Sequence, residues 1–361
     1  MWMLLILIIP IVGMAYVGWH IWALLPLAGI WKGMIIMCGI TCFLMLFLDL
    51  NGTLEKLPLS LSRVLYEIGT SSIFVLLYLV MVFLVLDIGR LVHLVPRTWL
   101  DNNWVTTVAL LGFLLTIFLC GNIHYKDKVR IALNITTSKP LKKDYTIVMA
   151  SDLHLGYHNT RHDLAHWIDL MYAEQPDIIL FAGDIIDIST QPLFEEKMAE
   201  EFHRLTAPIY ACLGNHEYYS HDSKAIQFYK DAGIQLLRDS CVATDNLCLI
   251  GRDDRTNPHR IALQKLLKQA DNTKYLILLD HQPYHLEQAE KAGIDFQFSG
   301  HTHEGQIWPI SWITHRLYDC SWGNYQKGDT HYYVSSGLGI WGGKFRIGTQ
   351  SEYVVLKLSN K

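Results

Sequence analysis

Histidine, aspartate and asparagine side chains follow five short apolar segments of this sequence. They lie in ASDLHLG (150–156), AGDIID (182–187), LGNHEYY (213–219), LDHQP (279–283) and SGHTHEG (299–305). Each apolar segment has the composition of a β-strand, and the polar group comes where that strand would end. Because ligands of open α/β sheets lie outside the carboxyl ends of the strands, we expect the five loops to converge on one site.

The side chains in these loops predict a metal centre. Their imidazoles, carboxylates and amide oxygen are more ligands than one ordinary ion requires. Mixed nitrogen and oxygen ligands suit Mn, Fe, Co, Ni or Zn, and the lack of cysteine argues against a structural zinc site. Two divalent ions about 3.5–4 Å apart, bridged by a carboxylate, would clamp a phosphoryl group and lower the pKa of a shared water. This chemistry predicts hydrolysis of a phosphoester or pyrophosphate bond.

Strands and helices alternate in the part of the chain that carries these loops. The predicted strands are 145–150, 177–183, 208–214, 247–251, 275–280, 295–300, 331–337 and 352–358. The predicted helices lie near 160–175, 192–206, 222–232, 259–270 and 284–292. This alternation favours an α/β fold in which helices cover the sheets.

The first 121 residues have a different composition, with long apolar runs and few charges. Four runs are long enough to cross a hydrocarbon core about 30 Å thick. We place these runs at 2–27, 34–50, 72–95 and 105–121. A buried helical bundle in a soluble protein is the alternative, and the near absence of charge argues against it. We therefore expect a four-helix transmembrane region (1–121), a basic connector (122–144) and a catalytic domain (145–361).

The distribution of Lys and Arg predicts the orientation of this membrane region. Eight basic residues flank the spans on the side of the catalytic domain, and three lie on the other side. Basic residues favour the cytoplasmic side, so we expect a multi-pass protein of the cell (inner) membrane with a cytoplasmic catalytic domain. The net charge of −4 argues against nucleic-acid binding. The expected partners are the lipid bilayer and an amphipathic phosphorylated substrate, and no protein partner is predicted.

The order of the five polar motifs resembles that of the calcineurin-like metallophosphoesterases from about residue 145 to the end. The family order DxH, GDxxD, GNHE, H and GHxH is present as Asp152/His154, Asp184/Asp187, Gly214 to Glu217, His281 and His301/His303. The resemblance implies a four-layer αββα sandwich with two divalent ions at the strand ends. It implies that Asp152, His154, Asp184 and His303 hold one ion, and that Asp184, Asn215, His281 and His301 hold the other.

The resemblance also implies two catalytic side chains. His216 matches a family histidine that lies beside the scissile bond and is not a primary metal ligand. Its imidazole would give a proton to the leaving oxygen or stabilise phosphoryl charge. Asp187 matches the position that orients this histidine in many relatives, although a turn cap is an alternative. We expect Glu217 to fix the loop. His158, His162 and His166 recur at intervals of four, and the latter two would share a helix face. We expect a solvated face, with a substrate-contacting cluster as the alternative.

The C-terminal third resembles a membrane-attached subgroup of the family with the motif GHTHGGQ. The corresponding segments are GHTHEGQ (300–306), YVSSGLG (333–339) and RIGTQSE (346–352). Some members of the wider group cleave the pyrophosphate of UDP-2,3-diacylglucosamine. One soluble class of these hydrolases has GNRD where this chain has GNHE, so that activity does not transfer from it. Glu304 replaces a subgroup glycine and places an anion beside the metals or points to solvent.

Three further side chains are candidate substrate contacts. Arg346 and Arg316 are candidates for a clamp on phosphate or carboxylate, with surface residues as the alternative. Trp308 begins an aromatic segment (308–325) that also contains Trp312 and Trp322. Such side chains favour a membrane interface, so the segment would form a lid for a lipid-linked substrate. The alternative is that it only packs over the sandwich.

These observations lead to three functional hypotheses. The first is a membrane-anchored phosphohydrolase that acts on an amphipathic or lipid-linked substrate. The second is a phosphatase of soluble nucleotides or phosphoproteins. The third is a membrane sensor or transport component without catalysis, and the complete ligand set argues against it.

Overall fold

The computed structural model of the protein describes residues 2–220 and 222–361. The chain separates into two compact units between Gly121 and Asn122.

The first unit consists of apolar helices. They are α1 (Trp2–Leu24), α2 (Gly29–Leu44), α3 (Leu46–Leu50), α4 (Leu59–Leu91) and α5 (Trp104–Lys126), the last of which ends in the second unit. Three segments are long and apolar enough to cross a membrane, namely Gly29–Leu50, Leu59–Leu91 and Trp104–Lys126. In α1 the apolar stretch Ile8–Leu24 is shorter, so a fourth span stays a prediction. Helix α4 begins well before the predicted residue 72, because hydropathy does not mark its polar first turns.

Polar side chains in this unit are paired with one another. The Tyr16 hydroxyl donates to Asp87 Oδ2 over 2.7 Å, and His20 Nε2 lies 3.0 Å from the same oxygen. Lys32 Nζ donates to the Trp22 carbonyl over 2.8 Å. Pairing lowers the cost of placing ionisable groups in apolar surroundings, so these contacts are compatible with an anchoring role.

The second unit contains two mixed β-sheets. The first has the order β1 (Lys128–Thr137), β12 (Ser351–Asn360), β2 (Tyr145–Ala150), β3 (Ile178–Ala182), β4 (Ile209–Cys212) and β5 (Gln235–Leu236). The second has the order β10 (Gly323–Lys327), β11 (Thr330–Val334), β9 (Phe296–Ser299), β8 (Tyr275–Leu279), β7 (Leu247–Gly251) and β6 (Ser240–Ala243). Strands β2 to β5 run parallel, as do β7, β8, β9 and β11. The carboxyl ends of the parallel strands therefore lie at one edge of each sheet.

Side-chain alternation along the strands separates three apolar cores. In β2, Ile147 and Met149 join a core shared by the two sheets, whereas Val148 and Ala150 join a core on the opposite face of the first sheet. A third core packs the other face of the second sheet against helices. The helices of this unit are α6 (Arg161–Ala173), α7 (Gln191–Glu195), α8 (Ala199–Phe202), α9 (Asn215–Tyr219), α10 (Asp222–Asp231), α11 (Leu263–Leu266), α12 (Glu287–Lys291) and α13 (Ile310–Leu317).

The segment 122–144, treated above as a connector, contributes structure to the second unit. It contains the end of α5 and all of β1, which pairs with β12 along ten residues. Strands β6 and β10 and helix α13 were not predicted. Strand β10 reads GNYQK, and such edge strands lack the apolar run from which a strand is recognised.

Candidate metal centre

The loops after β2, β3, β4, β8 and β9 bring the predicted ligands together. Three groups of side chains have ligand atoms within 4.8 Å of one another: Asp152, His154 and His303; His154, Asp184 and His216; and Asp184, His281 and His301. Asp184 belongs to two groups, as a bridging carboxylate would. The convergence follows from the parallel strand order, which places successive carboxyl ends side by side.

The first group has the spacing of ligands around a common ion. His154 Nε2 lies 3.1 Å from His303 Nε2 and 3.7 Å from Asp184 Oδ2. His303 Nε2 lies 3.4 Å from Asp152 Oδ1. Ligand atoms bound at about 2.0–2.2 Å from one ion are separated by about 3–3.5 Å. These side chains therefore fit a divalent cation.

The third group, Asp184, His281 and His301, has ligand atoms that face one another, and Asn215 is predicted to bind the same ion. His281 Nδ1 lies 2.7 Å from the Ala182 carbonyl, to which it must donate. Burial lowers the pKa of His281, but Asp184 outweighs it and raises this pKa well above the usual value. A bound cation would displace that proton, and Nε2 would then direct a lone pair toward the same ion as Asp184 Oδ2, which is 3.1 Å away. Asn215 Oδ1 is buried and accepts no hydrogen bond from the described residues. A cation between these atoms would satisfy all three, and metal-binding histidines commonly donate their other N–H to a carbonyl.

The protonation states of Asp184 and His301 suit metal binding. Burial raises the pKa of Asp184, but the imidazoles of His281 and His216 outweigh it and hold that pKa well below the usual range. Burial and the nearby His281 lower the pKa of His301 to about 4. At neutral pH the bridging carboxylate is therefore ionised and the His301 imidazole is neutral, which are the forms that bind cations.

Five of the predicted ligands have a left-handed backbone conformation. The φ angles are 55° at Asp152, 44° at His154, 51° at Asp184, 72° at His301 and 48° at His303. Residues other than glycine rarely adopt this region, and such strain is concentrated at functional sites. Close packing also constrains Gly214, where an added Cβ would lie 2.2 Å from Asp184 Oδ1. The backbone of these turns is therefore constrained both by the left-handed conformation and by close contact with the predicted ligand side chains.

His216 and Asp187 form a hydrogen-bonded pair beside these ligands. His216 Nδ1 lies 2.9 Å from Asp187 Oδ1, and the His216 and His154 ring centres are 4.4 Å apart. Burial lowers the pKa of His216, but the carboxylates of Asp184 and Asp187 outweigh it and raise this pKa to about 9. The pair can therefore present a protonated imidazole at neutral pH. Asp187 contacts His216, as expected of a residue that orients this histidine.

Glu217 holds two of the metal-ligand loops in place. Its buried carboxylate accepts from the backbone N–H groups of Gly214 at 2.7 Å and of Asp184 and Ile186 at 3.1 Å each. The Tyr229 hydroxyl donates to it as well, over 3.1 Å. These contacts agree with the loop-fixing role expected for Glu217.

Arg346 does not lie where a substrate clamp would, which corrects the prediction. Its side chain is fully buried and its Nη1 donates to the His303 carbonyl over 2.7 Å. Nη2 donates to the Ser336 and Gly339 carbonyls, and Nε donates to Ser351 Oγ. The guanidinium therefore fixes the turn of His303.

Arg316 and Glu304 lie near the same turn with different exposure. Arg316 is exposed on α13, and its contact with a substrate stays a prediction. Glu304 is only 8% exposed, so the expectation that it points to solvent is wrong. Its Oε1 lies 3.9 Å from His315 Nε2 of α13, and burial raises its pKa to about 7.

The aromatic segment divides into an exposed part and a packed part. Trp312 is 65% exposed and Leu317 is 66% exposed, and Trp308 packs edge-to-face on Trp312. Trp322 is also exposed, at 36%, but its indole N–H is held by both carboxylate oxygens of Glu352, and the neighbouring Cys320 is buried. The exposed part lies next to the metal-ligand turn. Gly305 of this turn packs so closely on Ser311 of α13 that an added Cβ would lie 2.5 Å from the Ser311 backbone nitrogen.

Two side chains that support the His154 loop were not predicted. Asn159 Nδ2 donates to the carbonyls of Leu153 over 2.9 Å and His154 over 3.0 Å. Asn159 Oδ1 accepts from the hydroxyl of Tyr125, a residue of α5. No motif in the sequence marks this pair.

His158 lies in the same loop and differs from its two predicted partners. Its Nε2 is 2.6 Å from the Ile340 carbonyl and its side chain is buried. The predicted solvated face is therefore wrong for His158. It holds for His162 and His166, which are exposed on α6.

Comparison with known proteins identifies the family. The sequence profile of the calcineurin-like phosphoesterases matches residues 145–305. A metallophosphoesterase of Aquifex aeolicus is 30% identical over 237 residues, which cover 63% of this chain and 89% of that protein. The chain belongs to the calcineurin-like metallophosphoesterases. The family resemblance is thereby confirmed, and the second unit carries a domain of the metallophosphoesterase class.

Other metallophosphoesterases match a smaller share of their own length. One from Campylobacter jejuni is 32% identical over 229 residues, and the match spans 61% of each chain. A transmembrane protein with a metallophosphoesterase domain from Danio rerio is 30% identical to this chain over 232 residues. The match covers 58% of this chain and 53% of the Danio rerio protein. This second relative and the apolar helices of the first unit indicate membrane association.

Proposed function

We propose that this metallophosphoesterase is a membrane-anchored phosphohydrolase with two divalent ions, acting on a phosphoester or pyrophosphate bond of an amphipathic, lipid-linked substrate. The observation that carries the proposal is the exposed apolar surface of α13, which begins at the turn of His303. An enzyme for soluble esters alone would have no use for large exposed apolar side chains beside its centre.

The chain has the residues to hold both ions. Asp152, His154, Asp184 and His303 would bind one ion, and Asp184, Asn215, His281 and His301 would bind the other. When bound, such ions neutralise phosphoryl charge and make a water more acidic. Manganese, iron, zinc, cobalt and nickel all suit this mixed set of nitrogen and oxygen ligands.

His216 would supply the proton that the leaving oxygen needs. Its hydrogen bond to Asp187 at 2.9 Å fixes the ring and keeps a proton on Nδ1. The other ring nitrogen is then the donor for the leaving group. Asp187 acts through His216, so it is a positioning residue.

Helix α13 would receive the apolar part of the substrate. Trp312, Ile313 and Leu317 are exposed on this helix, and Arg316 supplies a positive charge next to them. Apolar side chains with an adjacent cation suit the boundary between acyl chains and phosphate headgroups. The motif GHTHEGQ (300–306), similar to that of the membrane-attached subgroup, supports the same substrate class.

The proposed location is the cell (inner) membrane, crossed four times, with the catalytic domain on the cytoplasmic side. The excess of Lys and Arg flanking the spans on the domain side supports this orientation.

The proposal is tested with full-length protein in detergent and Mn²⁺, using decyl and methyl 4-nitrophenyl phosphate as paired substrates. The variant Trp312→Ser combined with Leu317→Ser removes apolar surface from α13. We expect KM for the decyl ester to rise about 30-fold, because each of the two side chains contributes on the order of 1 kcal/mol of partial burial. The methyl ester should be cleaved with nearly unchanged constants.

The matched control is Tyr172→Ser, which removes an exposed aromatic side chain from α6. It should leave both substrates unaffected. A wild-type enzyme that prefers the methyl ester would contradict the amphipathic substrate. Equal losses on both esters in the α13 variant would show that this helix only packs over the domain.

A further inference from the structure

Three side chains from three separate loops meet beside the metal ligand His301. The Arg255 guanidinium carbon lies 4.3 Å from the Tyr284 ring centre. The Tyr284 and Tyr318 hydroxyl oxygens are 2.8 Å apart, and the Tyr318 ring centre is 6.5 Å from that of His301. Arg255 follows β7, Tyr284 follows β8 and Tyr318 follows α13. The metal centre and this arginine are thus connected by a continuous row of aromatic rings.

The backbone next to Arg255 is held firmly. Gln282 Nε2 donates to both carboxylate oxygens of Asp254 at 2.9 Å each. Asp254 Oδ1 also accepts from the Thr256 backbone nitrogen over 2.8 Å. The adjacent Asp253 is bound by Arg238 Nε over 2.9 Å. Both carboxylates next to Arg255 are therefore engaged by donors other than Arg255, and the charge of Asp253 is matched by that of Arg238.

The three side chains offer hydrogen-bond donors to solvent. Arg255 is exposed, whereas Tyr284 and Tyr318 are half-buried. The Arg255 guanidinium lies over the Tyr284 ring, and a guanidinium held by a ring face keeps its N–H groups for a ligand. One tyrosine hydroxyl donates to the other, so the accepting hydroxyl keeps a proton that it can give to a ligand. A fork of N–H groups beside a hydroxyl matches the oxygens of a carboxylate or phosphate.

We propose that Arg255, Tyr284 and Tyr318 form a subsite for a second anionic group of the substrate, located in the leaving part of the molecule. The ligand chemistry is a carboxylate or phosphate, and the inference rests on the proposed hydrolysis. In that reaction the oxygen of water bonds to phosphorus and the bond from phosphorus to the leaving oxygen breaks. The leaving oxygen takes the electron pair and a proton. Arg255 takes no part in these bond changes, so it contributes equally to ground-state and transition-state binding.

Three decyl aryl phosphates test the subsite. Their aryl groups are 4-ethylphenyl, 4-(carboxymethyl)phenyl and 4-(phosphonomethyl)phenyl, so only the second anion differs. In the wild type we expect KM to be about 10- to 100-fold lower for at least one anionic ester, the range of one charge-assisted hydrogen-bonding site. Comparison of the two anionic esters shows whether carboxylate or phosphate is preferred.

The variant Arg255→Ala should raise KM for the preferred anionic ester to the value of the neutral ester, with kcat unchanged. Arg255→Lys should restore part of the difference, because the charge remains without the planar fork. The control Arg204→Ala removes an exposed arginine from the helical side of the first sheet and should change none of the constants. Equal effects of Arg255→Ala on all three esters, or no effect on any, would overturn the subsite.

A binding measurement separates this inference from the proposed function. Two non-hydrolysable analogues, in which a methylene replaces the leaving oxygen, are titrated into wild-type and Arg255→Ala protein by calorimetry. They are decyl 4-(carboxymethyl)benzylphosphonate and its phosphonomethyl counterpart. We expect the variant to bind at least tenfold more weakly. If the wild type cleaves none of the esters, the proposed function fails, while the calorimetric difference still decides the subsite. Equal affinities of the two proteins for both analogues would refute the subsite.

Discussion

At the scale of single residues, the centre depends on side chains that hold other side chains. Asp187 orients His216, and Arg346 fixes the turn of His303 through backbone carbonyls. Such contacts keep strained ligand turns in a fixed geometry, since a left-handed aspartate or histidine is stable only when its surroundings over-determine it. These two residues should therefore fail in different ways when they are replaced.

Replacing Asp187 with Asn should lower kcat and leave substrate binding almost intact. The amide keeps the size of the side chain but removes the charge that orients and protonates His216. We expect kcat to fall about 10²- to 10⁴-fold, with KM changed less than threefold. Steady-state kinetics with a methyl aryl phosphate measures both constants. If KM rises as steeply as kcat falls, Asp187 binds substrate and does not act through His216.

Replacing Arg346 with Leu should unfold the His303 turn, since several buried carbonyl groups would lose their donor. We expect a loss of about 3–5 kcal/mol in the free energy of unfolding, the typical cost of breaking a buried charged network. Denaturant unfolding followed by tryptophan fluorescence measures this loss. If the variant has unchanged stability and a raised KM, Arg346 binds substrate and does not support the His303 turn.

At the scale of elements, the last apolar helix is joined to a metal-ligand loop. Tyr125 lies near the end of α5, in the part that belongs to the second unit, and its hydroxyl donates to Asn159. Asn159 in turn binds the carbonyls of Leu153 and His154. The position of the His154 imidazole is thus coupled to the end of α5 through two buried side chains.

Replacing Asn159 with Leu should weaken metal binding more than it affects activity at saturating metal. Partners that orient ligands change metal affinity by about 10- to 100-fold, and we expect a rise of this size in the Mn²⁺ dissociation constant. Calorimetric titration of the metal-free protein measures it. The control His162→Ala, on the exposed face of α6, should have no effect. An unchanged Mn²⁺ dissociation constant for Asn159→Leu would show that Asn159 does not position His154 for metal binding.

At the scale of the whole molecule, ions bound at the candidate metal centre would add to the stability of the second unit. The two sheets are connected at their carboxyl edges by ligands from both, with Asp152 and Asp184 from the first and His281, His301 and His303 from the second. Any ion bound between them links the sheets directly, and its binding free energy adds to folding.

Removal of metal with EDTA should therefore lower the melting temperature of the full-length protein. Without cations, the buried Asn215 oxygen and the facing atoms of His281 and Asp184 stay unsatisfied. Added Mn²⁺ at 100 times its dissociation constant should restore about 2.7 kcal/mol. Thermal unfolding with and without EDTA measures the shift. The same shift in Asp184→Asn would show that the ions stabilise the protein from another site.

The orientation of the chain is tested with single cysteines in the two flanking regions. Leu94→Cys lies between α4 and α5, and Lys327→Cys lies in the second unit. We expect a membrane-impermeant maleimide to label Leu94→Cys in intact cells, and Lys327→Cys only after lysis, because basic residues favour the cytoplasmic side. The background is a variant in which the seven native cysteines are replaced by serine. The reverse labelling would place the catalytic domain outside the cytoplasm.

The sequence alone determined the ligand set, most of the strands and the contrast between the apolar and polar parts of the chain. These features are local: a strand and the polar loop after it are neighbours along the chain, and hydropathy is a property of each segment. The edge strands β6 and β10 carried too little apolar signal to be recognised.

Only the tertiary structure decided which side chains are buried and what they contact. Arg346 was predicted as a substrate clamp, with a surface position as the alternative, and is buried against the His303 turn, whereas Arg255 carried no motif and lies in a row with Tyr284 and Tyr318. The left-handed φ angles of the ligands were equally invisible in the sequence. The physical reason is that burial and backbone strain depend on packing between segments far apart in the chain, which no local pattern records.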